Sequence, residues 1–157
     1  MRRECEAAVT IGAPPEAVWA VIANVTRIGE WSGECRRCAW VGAPGAAVVG
    51  ARFRGSNRRG GMRWSRLSEI DVADPPRELA WHTIFGGISR DSTEWRLRLR
   101  PTADGTEVTL SFRIVRLSRP MALLLSLLQP AHRDRTGDLT DDLGRLKKVV
   151  EAGGAPS

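Results

Sequence analysis

The sequence has no tyrosine, two histidines (His82 and His132) and three cysteines (Cys5, Cys35 and Cys38). Without tyrosine no phenolic hydroxyl is available as a proton donor. An odd set of three cysteines is not a disulfide framework. Cys35 and Cys38 form a C-x-x-C, the spacing of redox and zinc motifs, but a zinc site takes four ligands and no second C-x-x-C or H-x-x-x-H completes one. Residues 34–41 read as a strand, where positions i and i+3 point to opposite faces. Without a bulge these two thiols do not converge. The expectation is therefore buried or idle thiols, no bound metal and no cofactor.

Long apolar runs are also missing. The densest stretch, Met121 to Leu128, is interrupted by Ser126 and falls short of the 18 or more residues that a membrane span needs. The first twenty residues lack the apolar block of a secretory leader. Together these point to a cytoplasmic protein with no transmembrane segment, a monomer or weak homodimer. Lysine is nearly absent: all but Lys147 and Lys148 of the 24 basic residues are arginine, and the net charge is +6. The arginines sit at every second position in Arg52 and Arg54, and in Arg96, Arg98 and Arg100, the spacing of a solvated sheet face. The densest patch, Arg52 to Arg66, surrounds Asn57-Arg58-Arg59-Gly60-Gly61 and reads as a solvated hairpin or an anion contact. No nucleic-acid-binding module fits the chain, so nucleic acid is not among the expected partners.

With 157 residues, 42% of them hydrophobic and 27% charged, the chain has the composition of a globular domain able to bury about two-thirds of its unfolded surface. Residues 4–11 alternate as a half-buried strand, with Cys5, Ala7, Val9 and Ile11 on one side. Pro14 and Pro15 stop it and open a helix carrying Val18, Trp19, Val21 and Ile22. A second short helix carries Ile28 and Trp31. The period then becomes two, predicting strands over 35–41, 48–57, 63–72, 77–84, 90–100 and 106–116, separated by glycine- and proline-rich turns such as Asp104-Gly105. Connections this short make neighbours antiparallel. From Met121 to Val150 apolar residues step by three or four, predicting a long amphipathic helix that Pro130 interrupts.

This order predicts an α+β fold: a seven-stranded curved antiparallel sheet wrapped around a long C-terminal helix, with two short helices between strands 1 and 2, all within one domain over residues 1–157. A strongly curved sheet does not lie flush on a straight helix, and the hollow left between them is the expected site.

The run Ala13-Pro14-Pro15-Glu16-Ala17-Val18-Trp19, then Trp31, Gly50 to Gly60, Trp64, Asp74-Pro75-Pro76 with Trp81, Trp95, Gly105 to Thr109 and Leu143 to Lys147 resembles the START-like, helix-grip superfamily, in particular its bacterial polyketide cyclase/dehydrase-type members. The resemblance implies a hydrophobic cavity under the C-terminal helix and a hydrophobic, polyketide- or lipid-like small molecule as ligand. It does not imply one reaction, because fold alone does not give function.

Strand parity then names the candidate lining. Phe53 and Asn57 share a face in one strand, and Trp64, Arg66 and Ser68 in the next. Trp81 and Thr83 follow, then Thr93 and Trp95, while Leu128, His132 and Leu139 come from the final helix. The polar members carry the information, since a buried polar group without a partner costs about 1–3 kcal/mol. An aromatase/cyclase-type enzyme is the alternative. It needs general acid–base groups near the reacting oxygen, for which Asp91, His132 and Arg135 are the candidates.

Overall fold

The structure, a computed structural model, describes residues 4–33, 35–43, 45–84, 92–116 and 136–153. Seven strands, β1 (Glu4–Ile11), β2 (Cys35–Val41), β3 (Arg52–Arg59), β4 (Met62–Asp74), β5 (Glu78–Ile84), β6 (Ser92–Thr102) and β7 (Gly105–Arg116), form one antiparallel sheet. Its order is β1-β7-β6-β5-β4-β3-β2. Strands β2 to β7 are thus a meander, and β1 joins beside β7. Between the two edge strands the chain runs through α1 (Pro15–Ile22), a single 3-10 turn (Val25–Arg27) and α2 (Ile28–Trp31), and α3 (Thr136–Gly153) closes the fold. The expected seven-stranded α+β architecture is the one observed. The expected helical stretch from Met121 to Arg135, with its interruption at Pro130, lies outside the described residues.

Local chemistry explains the boundaries. Pro14 has an extended backbone and precedes the first helical residue, Pro15, whose missing N–H costs nothing there. Thr102 faces Gly105 across a two-residue turn. Gly105 has φ +140°, and a Cβ at this position would collide with the Ile11 carbonyl oxygen, so only glycine lets β7 start this close to the end of β1. One strand boundary differs from the sequence reading by more than two residues. Strand β3 begins at Arg52 rather than residue 48, because Gly50, with φ +90°, turns the chain. Val49, which strict alternation over 48–57 would put on the face of Phe53, is consequently 68% exposed.

The sheet's inner face supplies most of the core. Ile11, Leu79, Leu97, Val108 and Leu110 are at most 1% exposed. Helix α3 contributes Leu139, Leu143, Leu146 and Val150, a buried stripe stepping by three or four residues. This helix packs mainly against β1, with further contact to α2. Its outer edge is tied to backbone groups at the ends of β1 and α2 and of the residues just after them. The Gly33 N–H donates to Asp142 Oδ1 at 2.9 Å, and the Arg145 Nε–H to the Trp31 carbonyl at 3.1 Å. At the far end the Gly12 N–H donates to Glu151 Oε2 at 2.7 Å, and Lys147 Nζ donates to the Thr10 carbonyl at 3.1 Å.

On the outer face the arginines are matched by glutamates on neighbouring strands. Arg52 pairs with Glu69 at 2.9 Å, Arg100 with Glu107 at 3.0 Å, and Arg113 with Glu94 at 3.3 Å. Arg96 pairs with Glu78 on the neighbouring strand and also with Glu94 on its own. Cross-strand opposite charges of this kind support register. They also identify the alternating arginines of β6 as a neutralised sheet face.

The two carboxylates holding α3 have opposite pH dependence. Burial pushes the Asp142 carboxyl above the usual carboxylate range, against the pull of Arg145 and the Gly33 N–H. Lys147, helped by the Gly12 N–H, holds Glu151 below it. The Glu151 contribution is lost as pH falls, whereas ionised Asp142 carries a burial penalty that grows as pH rises through its raised pKa. Asp142→Ala should lose about 0.5–1.5 kcal/mol, the net worth of the bond from the Gly33 N–H. Asp142→Asn keeps an acceptor and has no charge to bury, so its cost relative to wild type should be smaller at about pH 7 than at about pH 3. Urea unfolding at the two pH values measures both.

Candidate functional site

Pairing register assembles the expected lining residues into rows across the inner face. Phe53 of β3 faces Ser68 of β4, and Ser68 faces Thr83 of β5. The Thr93 N–H of β6 donates to the Thr83 hydroxyl oxygen at 2.9 Å, which extends this row over four consecutive strands. The adjacent row is apolar: Ile70 faces Trp81, Trp81 faces Trp95, and Trp95 faces Phe112. The Phe53 and Trp81 rings meet edge to face with centroids 5.8 Å apart, and Trp95 and Phe112 are 5.2 Å apart. Such contacts contribute about 0.5–1.5 kcal/mol beyond area burial. Hydroxyls are therefore laid beside a band of rings.

Burial separates the candidates. Phe53, Ser68, Trp81 and Leu139 are buried. Asn57, Trp64, Thr83, Thr93 and Trp95 are half-buried. Arg66 shares the face of Ser68 but is exposed, because it lies where β3 and β4 run toward their hairpin, paired with Gly55. Asp91, Leu128, His132 and Arg135 lie outside the described residues.

Two concavities on the described surface flank α1. One, about 400 Å³, is an open groove between Trp19, Ala20 and Asn24 on one side and Trp40 and Ala47 on the other. The second, about 190 Å³, lies between Ala17 and Val21 of α1 and Val150 and Gly153 of α3. Neither is lined by Phe53, Ser68, Trp81 or Leu139. Trp40, which the sequence reading does not single out, touches both regions: it lines the first groove and meets the Phe53 ring edge to face at 6.0 Å. Its register position opposite Phe53 is the signal that strand alternation in β2, distorted at its start, conceals.

That distortion corrects the expectation for the cysteines. Cys35 pairs with Asn57 and Cys38 with Gly55, with a register shift between Cys35 and Arg37. The extra residue turns Arg36 and Arg37 out to solvent and returns both cysteines to the inner face. Their Sγ atoms stand 3.0 Å apart and both residues are buried.

A second register shift, between Ile70 and Val72, puts Asp71 on the outer face beside His82, whose Nδ1 lies 2.8 Å from Asp71 Oδ2. With Glu69 these form a group whose potential ligand atoms lie within 4.8 Å of one another. Glu69 is paired with Arg52 and Asp71 is within hydrogen-bond distance of His82 Nδ1, so these groups already have protein partners. Among the described residues no helix is long and apolar enough to cross a membrane.

Comparison with known proteins agrees with this architecture. Residues 2–151 match the family described as polyketide cyclase/dehydrase and lipid transport. No curated protein matches the sequence. A crystal structure from Thermus thermophilus superposes with a TM-score of 0.73 at 21% identity, covering 97% of this chain and 99% of that one. A protein from Nitrosomonas europaea gives a TM-score of 0.68 at 12% identity over 98% of this chain and 97% of its own. A polyketide-cyclase-like protein from Corynebacterium glutamicum, solved by NMR, gives 0.54 at 26% identity over 96% and 86%.

The hydroxyl row makes a direct prediction. Thr83→Val removes the acceptor for the Thr93 N–H and should lower stability by about 1 kcal/mol in urea unfolding, whereas Thr83→Ser should retain most of it.

Proposed function

The chain belongs to the polyketide cyclase/dehydrase and lipid transport family of the START-like superfamily, and from that premise we propose that it binds a hydrophobic, polyketide- or lipid-like small molecule against the inner face of its sheet. The observation that carries this reading is the placement of hydroxyls among rings. Ser68, 4% exposed, stands in register between Phe53 and Thr83, next to the Trp81–Trp95 band. Apolar walls with a few polar groups fixing orientation are the pattern of small-molecule sites. In this reading Phe53, Trp64, Trp81, Trp95 and Leu139 contact the apolar body of the ligand. Ser68, Thr83, Thr93 and Asn57 meet its oxygens, with Leu128 and His132 added from the segment before α3. Arg66, being exposed, is placed at the rim.

An environment-sensitive apolar dye tests it. The folded protein should enhance and blue-shift the dye's emission, and long-chain lipids or aromatic polyketides should displace it. Ser68→Leu should weaken the displacing ligand about tenfold, equivalent to about 1.4 kcal/mol, with near-ultraviolet circular dichroism unchanged. A folded protein that takes up no dye would rule the reading out.

The family description also covers cyclases and dehydrases, which supports a second reading, acid–base catalysis at the same face. Enolisation beside a carbonyl and loss of water both need a proton donor and acceptor within about 3 Å of the reacting oxygen. In a chain without tyrosine those roles fall to Asp91 and His132, with Arg135 as a fixed electrostatic donor. Turnover of a poly-ketone substrate should then fall at least about a hundredfold in His132→Ala with ligand binding retained. Equal turnover in that variant and wild type would leave binding alone.

A further inference from the structure

Cys35 and Cys38 both lie in the buried core, and the ligand reading makes no use of their convergence. Two cysteines three apart on a regular strand face opposite sides, and only the bulge at Arg36-Arg37 brings both inward. The neighbouring strand makes room for them. A Cβ on Gly55, which lies opposite, would stand 3.2 Å from Cys38 Sγ and 3.4 Å from Cys35 Sγ, tighter than ordinary packing. At 3.0 Å the sulfurs need to approach by only about 1 Å more to reach a bond of about 2.05 Å.

We propose that Cys35 and Cys38 are a reversible dithiol–disulfide pair, oxidised by a small carboxylate-bearing disulfide that meets the protein at exposed Arg36 and Arg37. Cys35 is the attacking residue. It is the first residue of β2, an edge strand, so opening one strand end suffices to expose it. Cys38 is the resolving residue, its proton held in place by the neighbouring sulfur and by burial. The Cys35 thiolate displaces one thiolate from the small disulfide and forms a mixed disulfide. Cys38 then loses its proton to the departing thiolate and attacks the Cys35 sulfur, releasing the second thiol. Two protein thiols and one small disulfide become one protein disulfide and two small thiols. Oxidation would fix the bulge covalently at the edge of the inner face. This inference is independent of the ligand reading.

The sequence supplies its own assay. Trypsin cuts after Arg36 and Arg37, so the reduced pair is released on two separate peptides and the oxidised pair remains as one linked species. The full-length protein is equilibrated with reduced and oxidised glutathione at a series of ratios, quenched in acid, alkylated, digested and weighed. The linked species should rise with oxidised glutathione and disappear on adding reductant, while Cys5 stays alkylated throughout. Cys38→Ser should accumulate a glutathione adduct on Cys35, about tenfold more than Cys35→Ser accumulates on Cys38. A pair that remains reduced at every ratio in the folded protein, or that oxidises only in urea, would overturn the proposal. So would equal adduct formation in the two serine variants.

Discussion

The fold depends on how α3 is held. A seven-stranded antiparallel sheet with one apolar face has to cover that face, and the only long helix among the described residues does so from one side, lying along β1. The leucine stripe provides the attraction and sets which side of the helix turns inward, but non-directional burial resists sliding along the axis only weakly. Position comes from hydrogen bonds to fixed backbone groups: Gly33 and Trp31 at the middle of the helix, Gly12 and Thr10 toward its end. Those groups flank α1 and α2, so one helix sets the spacing of the whole connection from β1 to β2.

On that face polarity is sparse and ordered. The polar groups of Asn57, Ser68 and Thr83 recur along β3–β5 beside edge-to-face rings. The alternation of the sheet alone does not require them, since valine or leucine would fill a pure core without a polar group to desolvate. Their presence beside Trp81 is what supports the proposed recognition of a molecule that is mostly apolar and partly oxygenated.

Much of this is legible in the sequence because strands and helices write their burial as a period. The alternation of Cys5 to Ile11 and of Val108 to Ile114, and the steps from Leu139 to Val150, give the sheet, its inner face and the gripping helix directly. What a period cannot encode is a break in phase. The extra residue at Arg36-Arg37 and the one at Asp71 each shift a strand by one position, and everything derived from parity beyond such a point inverts. Parity therefore sends the two thiols of β2 to opposite faces, and it passes over Trp40 for the same reason. Gly50 has the opposite effect: the apolar run before it continues the alternation on paper, but a positive φ ends the extended chain there. Pairing partners, not composition, carry this information.

The glutamate partners of the outer arginines also decide where the molecule's charge resides. From Cys35 to Ser68 there are eight arginines (residues 36, 37, 52, 54, 58, 59, 63 and 66) and not one aspartate or glutamate, against +6 for the entire chain. Everything else is therefore slightly acidic overall. Strands β2 and β3 and the β3–β4 hairpin thus hold the densest positive charge in the sequence, and an anion diffusing toward the protein is drawn to that end before any contact is made.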